Sequence, residues 1–303
     1  TNSEVKYFVD NAEIYFVPVV NPDGYVYNQT NNPNGGGMWR KNRRANANGT
    51  FGVDLNRNYG HFWGYDNVGS SPTPSSDTYR GTAGFSEPET RAVKYLCEQH
   101  QFRLALNYHT YGNLIVYPWG YTDSNTPDSA QYHTYTKAMT NANRFVYGTG
   151  TETVGYTTNG DSDDWMHGET NTKNKILSIT PEVGTNAHGF WPPQAAIIPY
   201  CNQTMEANMN FMRCALAYAD CDDIGSRFIT PLSSSAKYML FNKGMSNTAT
   251  FTVSIIPVSN NISAGSPKVY NSPPFLTIVT DSIPLNVVFG TQHGDEIKYV
   301  LRI

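Results

Sequence analysis

Residues 103–117 read RLALNYHTYGNLIVY and contain two short apolar runs, Leu104–Tyr108 and Leu114–Tyr117, with a polar turn between them. Two further runs of this kind are Ile14–Val20 and Ile176–Ile179. Apolar runs of about four to eight residues bounded by turn residues are typical of strands in a sheet that is covered on both faces. The sequence therefore predicts these four segments as strands.

Three amphipathic segments alternate with the strands and are predicted to be helices: Glu87–Gln99, Asp128–Phe145 and Pro193–Tyr218. Ser86, followed by Glu89 three residues later, has the pattern of a capping box at the start of the first helix. Strands that alternate with helices indicate an α/β layered domain. We therefore predict an α/β/α domain with a mixed, mostly parallel sheet.

A different pattern begins after Asp220-Cys221-Asp222-Asp223. Several short segments there alternate apolar with polar residues between turn signals, and no helix is expected, which predicts a small all-β sandwich. These segments are Tyr238–Asn242, Thr248–Pro257, Phe275–Thr280, Leu285–Phe289 and Ile297–Ile303. The domain prediction is thus 1–220 for an α/β domain and 221–303 for a β-sandwich, which carries no cluster of ionisable residues and is expected to serve support or attachment.

Composition limits the class of partner. Only 15% of the 303 residues are charged and the formal net charge is -4, so no nucleic-acid partner is expected. No run approaches the roughly 18 apolar residues of a membrane span. The many uncharged polar residues favour a secreted protein. Four cysteines occur without a Cys-x-x-Cys pair, so buried free thiols and a disulfide between Cys214 and Cys221 both remain open.

The tract between Asn21 and Ser86 is long and irregular, and such connections in compact domains are usually functional. Within it, Trp39–Asn58 concentrates arginine and amide side chains. Arginine offers a planar fork of donors that binds a carboxylate through two hydrogen bonds. A binding site for an anionic group and a solvated basic loop are about equally compatible with this segment alone.

Two titratable residues come directly after predicted strands. His109 follows Leu104–Tyr108, and Glu182 follows Ile176–Ile179 through Thr180-Pro181. Ligands of α/β sheets collect at the carboxyl ends of strands, and a buried carboxylate must be hydrogen-bonded, paired or metal-bound. Position alone leaves the ordinary alternatives open, a core or surface histidine and an ion-paired glutamate.

The segment 155–165, Gly-Tyr-Thr-Thr-Asn-Gly-Asp-Ser-Asp-Asp-Trp, places Tyr156 in a loop before three aspartates. A loop tyrosine is uninformative in a chain with 21 tyrosines. Aspartates at such a position often mark a solvated helix start, where they suit the helix dipole.

Taken together in chain order, these motifs resemble the M14 family of zinc carboxypeptidases, of the carboxypeptidase A, B and T type, from about residue 1 to residue 219. The motifs are Asn-Pro-Asp-Gly-Tyr at 21–25, Trp39-Arg40-Lys41, Asp54-Leu55-Asn56-Arg57-Asn58, His109-x-Tyr111, Tyr156 and Glu182. The resemblance implies an α/β/α fold, one catalytic zinc ion, and removal of the last residue from a peptide or protein with a free C-terminus.

The resemblance also implies roles for individual residues. His109 would be a zinc ligand and Glu182 the general base, while Arg40 would polarise the scissile carbonyl. Arg57 and Asn56 would bind the terminal carboxylate of the substrate, and Tyr156 would close over the last residue.

The position of Asp163, two residues before Trp165, is where the family reads the departing side chain, and Asp161 lies two positions earlier. Carboxylates there predict a preference for a C-terminal Lys or Arg.

The resemblance is incomplete in one respect. The family takes its other two zinc ligands from an upstream His-x-x-Glu motif, and no such motif precedes Asn21. Two ligands are therefore expected outside this chain, either on an N-terminal part that this chain lacks or on a separate polypeptide, and this chain alone is expected to be inactive. The alternative hypotheses are a catalytically inert module that binds peptide C-termini, and an amidase or deacylase on the same scaffold. Retention of Arg40 and Glu182 argues against the first, and Arg57 with Asn56 argues against the second.

Overall fold

A mixed four-stranded sheet positions His109 and Glu182. The computed structural model describes residues 2–230 and 234–303. In it, β1 (Leu104–Leu106), β2 (Leu114–Val116), β3 (Val146–Gly148) and β4 (Leu177–Glu182) have the order β1-β4-β2-β3. β1 pairs with β4 and β2 with β3 in parallel, whereas β2 and β4 are antiparallel. The predicted mixed α/β sheet is thus confirmed.

The three predicted helices all form, with shorter bounds. They are α3 (Pro88–Gln99), α4 (Ser129–Thr140) and α7 (Ile197–Ala215), the last preceded by a 3-10 turn at Gln194–Ala196. The remaining helices are α1 (Ser3–Asn11), α2 (Pro22–Asn31), α5 (Gly150–Thr153) and α6 (Ser162–Gly168). A buried cluster under α3, α6 and β4 contains Tyr59, Cys97, Trp165, Met166 and Ile176.

The predicted capping box at Ser86 is wrong. The N-cap residue is Glu87, and no side chain caps α3. The Ser86 hydroxyl donates instead to the Glu87 carboxylate at 2.6 Å, and that carboxylate also accepts from Arg44 at 2.5 Å. The buried Glu87 carboxylate thus accepts the hydrogen bond of the Ser86 hydroxyl, and Ser86 does not cap the helix.

The predicted strand Ile14–Val20 does not form. This segment pairs with no strand of the described chain, and its large side chains are exposed, Phe16 to 84%. The Tyr15 ring packs on His100 and Phe102 at centroid distances of 4.6 and 5.1 Å. An apolar run carries the propensity for a strand, but a ladder of hydrogen bonds also needs a neighbour.

Helix α2 lies inside the tract predicted to be irregular. Asn21 caps it by accepting a hydrogen bond from the Gly24 amide at 3.0 Å, and Pro22 occupies the first turn. Both are ordinary helix-start signals. The sequence prediction missed this helix because residues 22–31 contain no apolar stripe of helical period.

The chain divides into two compact units, residues 13–211 and residues 2–12 together with 212–303. The prediction that assigns 1–220 and 221–303 to separate domains stays a prediction. In the second unit the Arg213 side chain pairs with Glu4 through contacts of 2.5 and 2.9 Å. Among the described residues, no helix is both long and apolar enough to cross a membrane.

The C-terminal region is all-β, as predicted. One sheet has the order β5 (Ala219–Asp223), β6 (Ser235–Asn242), β10 (Ile278–Val287), β8 (Ile262–Ala264), and the other has the order β11 (Tyr299–Arg302), β7 (Thr250–Pro257), β9 (Lys268–Asn271). Side chains of both sheets form one buried cluster, including Tyr238, Leu240, Val253 and Ile283. The segments Phe275–Thr280 and Leu285–Phe289, predicted as two strands, each contribute three residues to the single strand β10. All four cysteines are free thiols.

Candidate active site

His109 and Glu182 lie side by side at neighbouring strand ends. The His109 amide donates to the Pro181 carbonyl at 2.9 Å, and the Val183 amide donates to the His109 carbonyl at 3.0 Å. This bridge extends the β1–β4 pairing and brings His109 Nδ1 to 4.0 Å from Glu182 Oε1. The strand-end position noted in the sequence thus places the two side chains together.

Arg40 is held by a buried carboxylate. Its guanidinium donates to Asp54 Oδ2 at 2.8 Å, and the Arg40 side chain is 45% exposed whereas that of Asp54 is 4% exposed. The other oxygen of Asp54 accepts the Asn56 amide at 3.1 Å and so begins the 3-10 turn Leu55–Arg57. Asp54 therefore fixes one side of Arg40 and leaves part of the guanidinium facing solvent.

Arg57 is a buried cation whose donors are not all used. The residue is 5% exposed, its Nη1 donates to the Asn56 carbonyl at 2.7 Å, and its Nε has no partner among the described residues. No carboxylate of the described chain forms an ion pair with it. Asn56 is directed elsewhere, since its Oδ1 accepts the Ser162 amide at 3.0 Å. A buried guanidinium without a carboxylate partner favours the binding of an anion at its accessible edge.

Asp163 is buried among polar side chains from β4 and the end of β1. Its Oδ1 accepts from Asn107 at 2.7 Å and from Ser178 at 2.5 Å, and its Oδ2 accepts from Thr180 at 2.7 Å. Burial, followed by the charge of Asp161, raises the pKa of Asp163 to about 6. Asp163 thus combines buried negative charge with a ring of neutral hydrogen-bond donors.

Asp161 begins α6. Its Oδ1 accepts the Asp164 amide at 2.8 Å, and its Oδ2 accepts from Thr158 at 2.5 Å. Burial raises the pKa of Asp161, while the hydrogen bonds and the charge of Arg57 act in the opposite direction. Asp161 therefore acts as a helix cap and contributes negative charge near Arg57.

The electrostatic environment distinguishes Glu182 from an ordinary surface glutamate. Burial raises its pKa to about 7, although the Arg40 charge opposes this, and the Asp163 charge adds to it. Burial, followed by the positive charge of Arg40, lowers the pKa of His109 to about 4. A carboxylate with a pKa near neutrality can both accept and release a proton under ordinary conditions.

Tyr156 is the one predicted site residue that the structure does not connect to the others. It is 54% exposed, and its side chain makes no hydrogen bond within the described chain. Three residues that the sequence prediction omitted do belong to the cluster: Asp54, Asn107 and Thr180. Asn107 lies two positions before His109, so the alternation of a strand could have placed both side chains on one face.

A family model described as zinc carboxypeptidase matches residues 1–207. The chain belongs to this family. A metallocarboxypeptidase A of Trichophyton equinum is 34% identical over 227 residues, which cover 71% of this chain and 52% of that protein. Bovine (Bos taurus) carboxypeptidase O is 34% identical over 220 residues, covering 70% of this chain and 56% of that protein. The chain thus spans about half the length of these curated relatives.

Two solved structures share the fold of about two thirds of this chain. Thrombin-activatable fibrinolysis inhibitor gives a TM-score of 0.60 with 30% identity over 69% of this chain and 52% of that one. The bovine form of that protein, in complex with tick carboxypeptidase inhibitor, gives a TM-score of 0.56 with 29% identity over 69% of this chain and 73% of that one. Family membership and shared fold therefore agree.

The family implies a zinc ion, and the described side chains do not form a complete site for one. A catalytic zinc site uses about three protein ligands and one water. Among residues 2–230 and 234–303, no group of three or more His, Cys, Asp or Glu side chains is placed to hold a metal. His109 is the one ligand that the family pattern assigns within this sequence. The donors of the described residues therefore do not fit a catalytic zinc ion without ligands from elsewhere.

Proposed function

We propose that this chain carries the substrate-binding and proton-transfer residues of a secreted zinc metallocarboxypeptidase that hydrolyses the C-terminal peptide bond of peptides and proteins. The observation that carries this proposal is Arg57, a buried guanidinium that forms no ion pair with a carboxylate of the described residues. The terminal carboxylate of a peptide supplies the missing anion.

Arg57 and Asn56 together form what we call the carboxylate clamp, and this clamp accounts for the removal of residues from the chain end only. Arg57 binds the terminal carboxylate, and Asn56, held by the Ser162 amide, lies beside it in the chain. Because an internal residue of a peptide has no carboxylate on its backbone, a chain bound in the middle would leave Arg57 unpaired. Tyr156, on its exposed loop, closes over the last residue. Binding energy is thus available only to the end of a chain.

Arg40 and Glu182 supply the chemistry. Arg40, fixed by Asp54, donates to the scissile carbonyl and stabilises the oxyanion of the tetrahedral intermediate. Glu182, with a pKa near 7, takes a proton from the attacking water and delivers it to the leaving amine. His109 would provide one ligand for the zinc ion that the family uses, and two further ligands would have to come from outside the described residues.

Asp163 and Asp161 favour a basic last residue. Both are buried, the charge of Arg57 acts on Asp161, and the charge of Asp161 acts in turn on Asp163. An ionised Asp163 attracts the cationic end of a Lys or Arg side chain. Its donors Asn107, Ser178 and Thr180 stabilise the ionised form.

The alternative is a catalytically inert module that binds peptide C-termini. It is supported by the donor set, since one histidine does not hold a catalytic zinc ion. The two proposals share Arg57 and differ in the need for Glu182 and for metal.

The deciding experiment has two parts on the purified 303-residue chain dialysed without chelator. We would measure zinc per chain, and release of the last residue from peptides ending in Lys, with E182Q and R57A beside the unchanged chain. An enzyme shows zinc near one per chain, a loss of about 10²–10⁴ in rate for E182Q, and weaker substrate use for R57A. Tight peptide binding without zinc or release, abolished by R57A and not by E182Q, identifies the inert module.

A further inference from the structure

Arg43 lies in an aromatic box made by Tyr27, Trp39 and Phe51. Its guanidinium carbon is 3.8 Å from the centre of the Tyr27 ring, 4.4 Å from that of Trp39 and 4.7 Å from that of Phe51. Rings at these distances attract the cation and cover its flat surfaces. The donors in the guanidinium plane remain unused, because Arg43 forms no hydrogen bond or ion pair within residues 2–230 and 234–303.

The Trp39 side of the box is fixed by one asparagine of α2. Asn28 accepts from the Trp39 amide at 3.0 Å and donates to the Trp39 carbonyl at 2.7 Å. The indole of Trp39 donates in turn to the Asn42 carbonyl at 3.0 Å. Because Tyr27 precedes Asn28 in the same helix, two of the three rings are anchored to α2.

The Phe51 side is fixed by a hairpin-like pairing of the chain. The Asn42 amide donates to the Val53 carbonyl at 2.9 Å, and the Gly52 amide donates to the Arg44 carbonyl at 2.7 Å. Arg43 and Phe51 therefore lie on opposite arms of one paired segment. The box exists before any ligand arrives, which removes much of the ordering cost of binding.

Two open clefts meet at Arg43. One has a volume of about 480 Å³ and is lined on its apolar side by Pro22, Val26 and Tyr27. The other has a volume of about 420 Å³ and is lined by Trp39 and Phe51 among others. The walls of the first cleft are mainly apolar, those of the second are about half polar, and both clefts are open to solvent. The candidate active-site residues Arg40, His109 and Glu182 line neither cleft.

The charges of the clefts select a particular anion. Lys41 adds positive charge to the second cleft, although its amino group already donates to the Pro74 and Ser76 carbonyls at 3.0 Å. Asp23 lines the first cleft and Asp77 the second. These acids repel a densely charged group such as phosphate. A single carboxylate, which can accept two parallel N–H groups of the Arg43 guanidinium, meets less repulsion.

We propose that the Arg43 clefts form a peptide-docking site that takes the carboxylate side chain of a Glu or Asp on Arg43, with neighbouring apolar residues of the same peptide in the flanking clefts. The site is separate from the carboxylate clamp at Arg57. It engages a side chain within a peptide, whereas the clamp engages the end of the chain.

The test uses peptides whose ends cannot bind Arg57. Acetyl-Leu-Glu-Leu-amide and its Gln counterpart lack a free terminal carboxylate, so the outcome is independent of the proposed carboxypeptidase function. The indole N–H resonances of the five tryptophans, in the full chain labelled with ¹⁵N, report where each peptide binds. We expect the Glu peptide to shift the Trp39 resonance saturably, and to bind about 10-fold or more tightly than the Gln peptide.

Variants of two arginines distinguish binding at Arg43 from non-specific attraction of the peptide to positive charge. R43A is expected to lose about 10-fold or more in affinity for the Glu peptide, and R43K to lose part of it, since lysine keeps the charge without the fork. R302A, which removes an exposed arginine of β11, is the matched control and should bind normally. If R43A does not fold, the affinities of the Glu and Gln peptides for the unchanged chain and for R43K still test the proposal.

Three results overturn the proposal. Equal affinities for the Glu and Gln peptides would show that the carboxylate is not recognised. Unchanged affinity in a folded R43A removes the role of Arg43. Tighter binding of inorganic phosphate than of the Glu peptide, on the same Trp39 resonance, would mean a general anion site in place of a peptide site.

Discussion

Asp54 Oδ2 lies 2.8 Å from the guanidinium of Arg40, while Asp54 Oδ1 accepts the Asn56 amide at 3.1 Å, so one buried carboxylate aligns two elements of the candidate site. Asp54 does not itself face the substrate in the proposed mechanism. It is a positioning residue, and we expect its removal to lower kcat by misaligning Arg40.

The first prediction concerns this pair. D54N keeps the shape of the side chain and one acceptor, but removes the charge that holds Arg40. We expect kcat for release of a C-terminal Lys to fall by about 10- to 100-fold, with a smaller change in KM, because the oxyanion donor is misaligned. R40A combined with D54N should be little worse than R40A alone. Additive losses in the double variant would show that Asp54 does not act through Arg40.

The second prediction concerns side-chain preference. D163S removes the buried negative charge and leaves small polar neighbours. Because the attraction for a cationic side chain is lost, we expect kcat/KM for peptides ending in Lys to fall about 100-fold relative to otherwise identical peptides ending in Leu. The comparison is made as a ratio in each variant, so a general loss of activity cancels. A wild-type chain that already favours Leu or Phe over Lys and Arg would contradict the premise.

The third prediction concerns acid stability. His167 is 2% exposed, and its Nδ1 lies 3.0 Å from the Tyr132 hydroxyl. Burial and the Lys175 charge lower the pKa of His167 to about 4 from an ordinary 6.5. Between those values the unfolded chain binds a proton that the folded chain does not, so folding stability falls as the pH decreases through this window. Across this window, His167 should lower the free energy of unfolding by about 2–3 kcal/mol.

Urea unfolding at several pH values measures this effect. The free energy of unfolding of H167Q should fall less than that of the unchanged chain between about pH 6.5 and pH 4. H133Q, at an exposed histidine, is the control and should keep the original pH dependence. Parallel pH profiles for H167Q and the unchanged chain would show that His167 is not buried in its neutral form.

The fourth prediction concerns the loop after β2. Asp164 is 1% exposed and accepts the amides of Gly120 at 2.8 Å and Tyr121 at 3.0 Å. D164A leaves both amides without this acceptor, so we expect a loss of about 2–4 kcal/mol in the free energy of unfolding. D164N keeps an acceptor and should lose less. Equal stability of D164A and the unchanged chain would mean that water replaces the carboxylate at this position.

The strand-end residues could be predicted from the sequence because their placement follows from local pattern. Leu104–Tyr108 and Ile176–Ile179 are unmistakable apolar runs, and neighbouring parallel strands end at the same edge of a sheet. His109 and Glu182 had to be close once those strands paired. Strand alternation could also have assigned Asn107 to the face of His109, but not its hydrogen bond to Asp163.

Other features depend on contacts that no local pattern reveals. Asp163 is identified as buried only when Asn107, Ser178 and Thr180 converge on it from distant parts of the chain. The sequence predicts two segments in place of strand β10 because Asp281, Ser282 and Pro284 interrupt its apolar pattern. The antiparallel pairing of β10 with β6 runs through Asp281, Ser282 and Pro284 without a break. Tertiary pairing thus overrides local propensity in this strand.

The segment Ile14–Val20 has a consequence for the behaviour of the protein in solution. It presents large apolar side chains to water, and its backbone makes no backbone hydrogen bonds within the described chain. Exposed apolar segments with unpaired backbone favour intermolecular association, and Pro18 limits the β-pairing part to residues 14–17. Preparations of this chain should therefore associate increasingly with concentration, and a charged substitution such as V17K should raise the concentration at which they remain monodisperse.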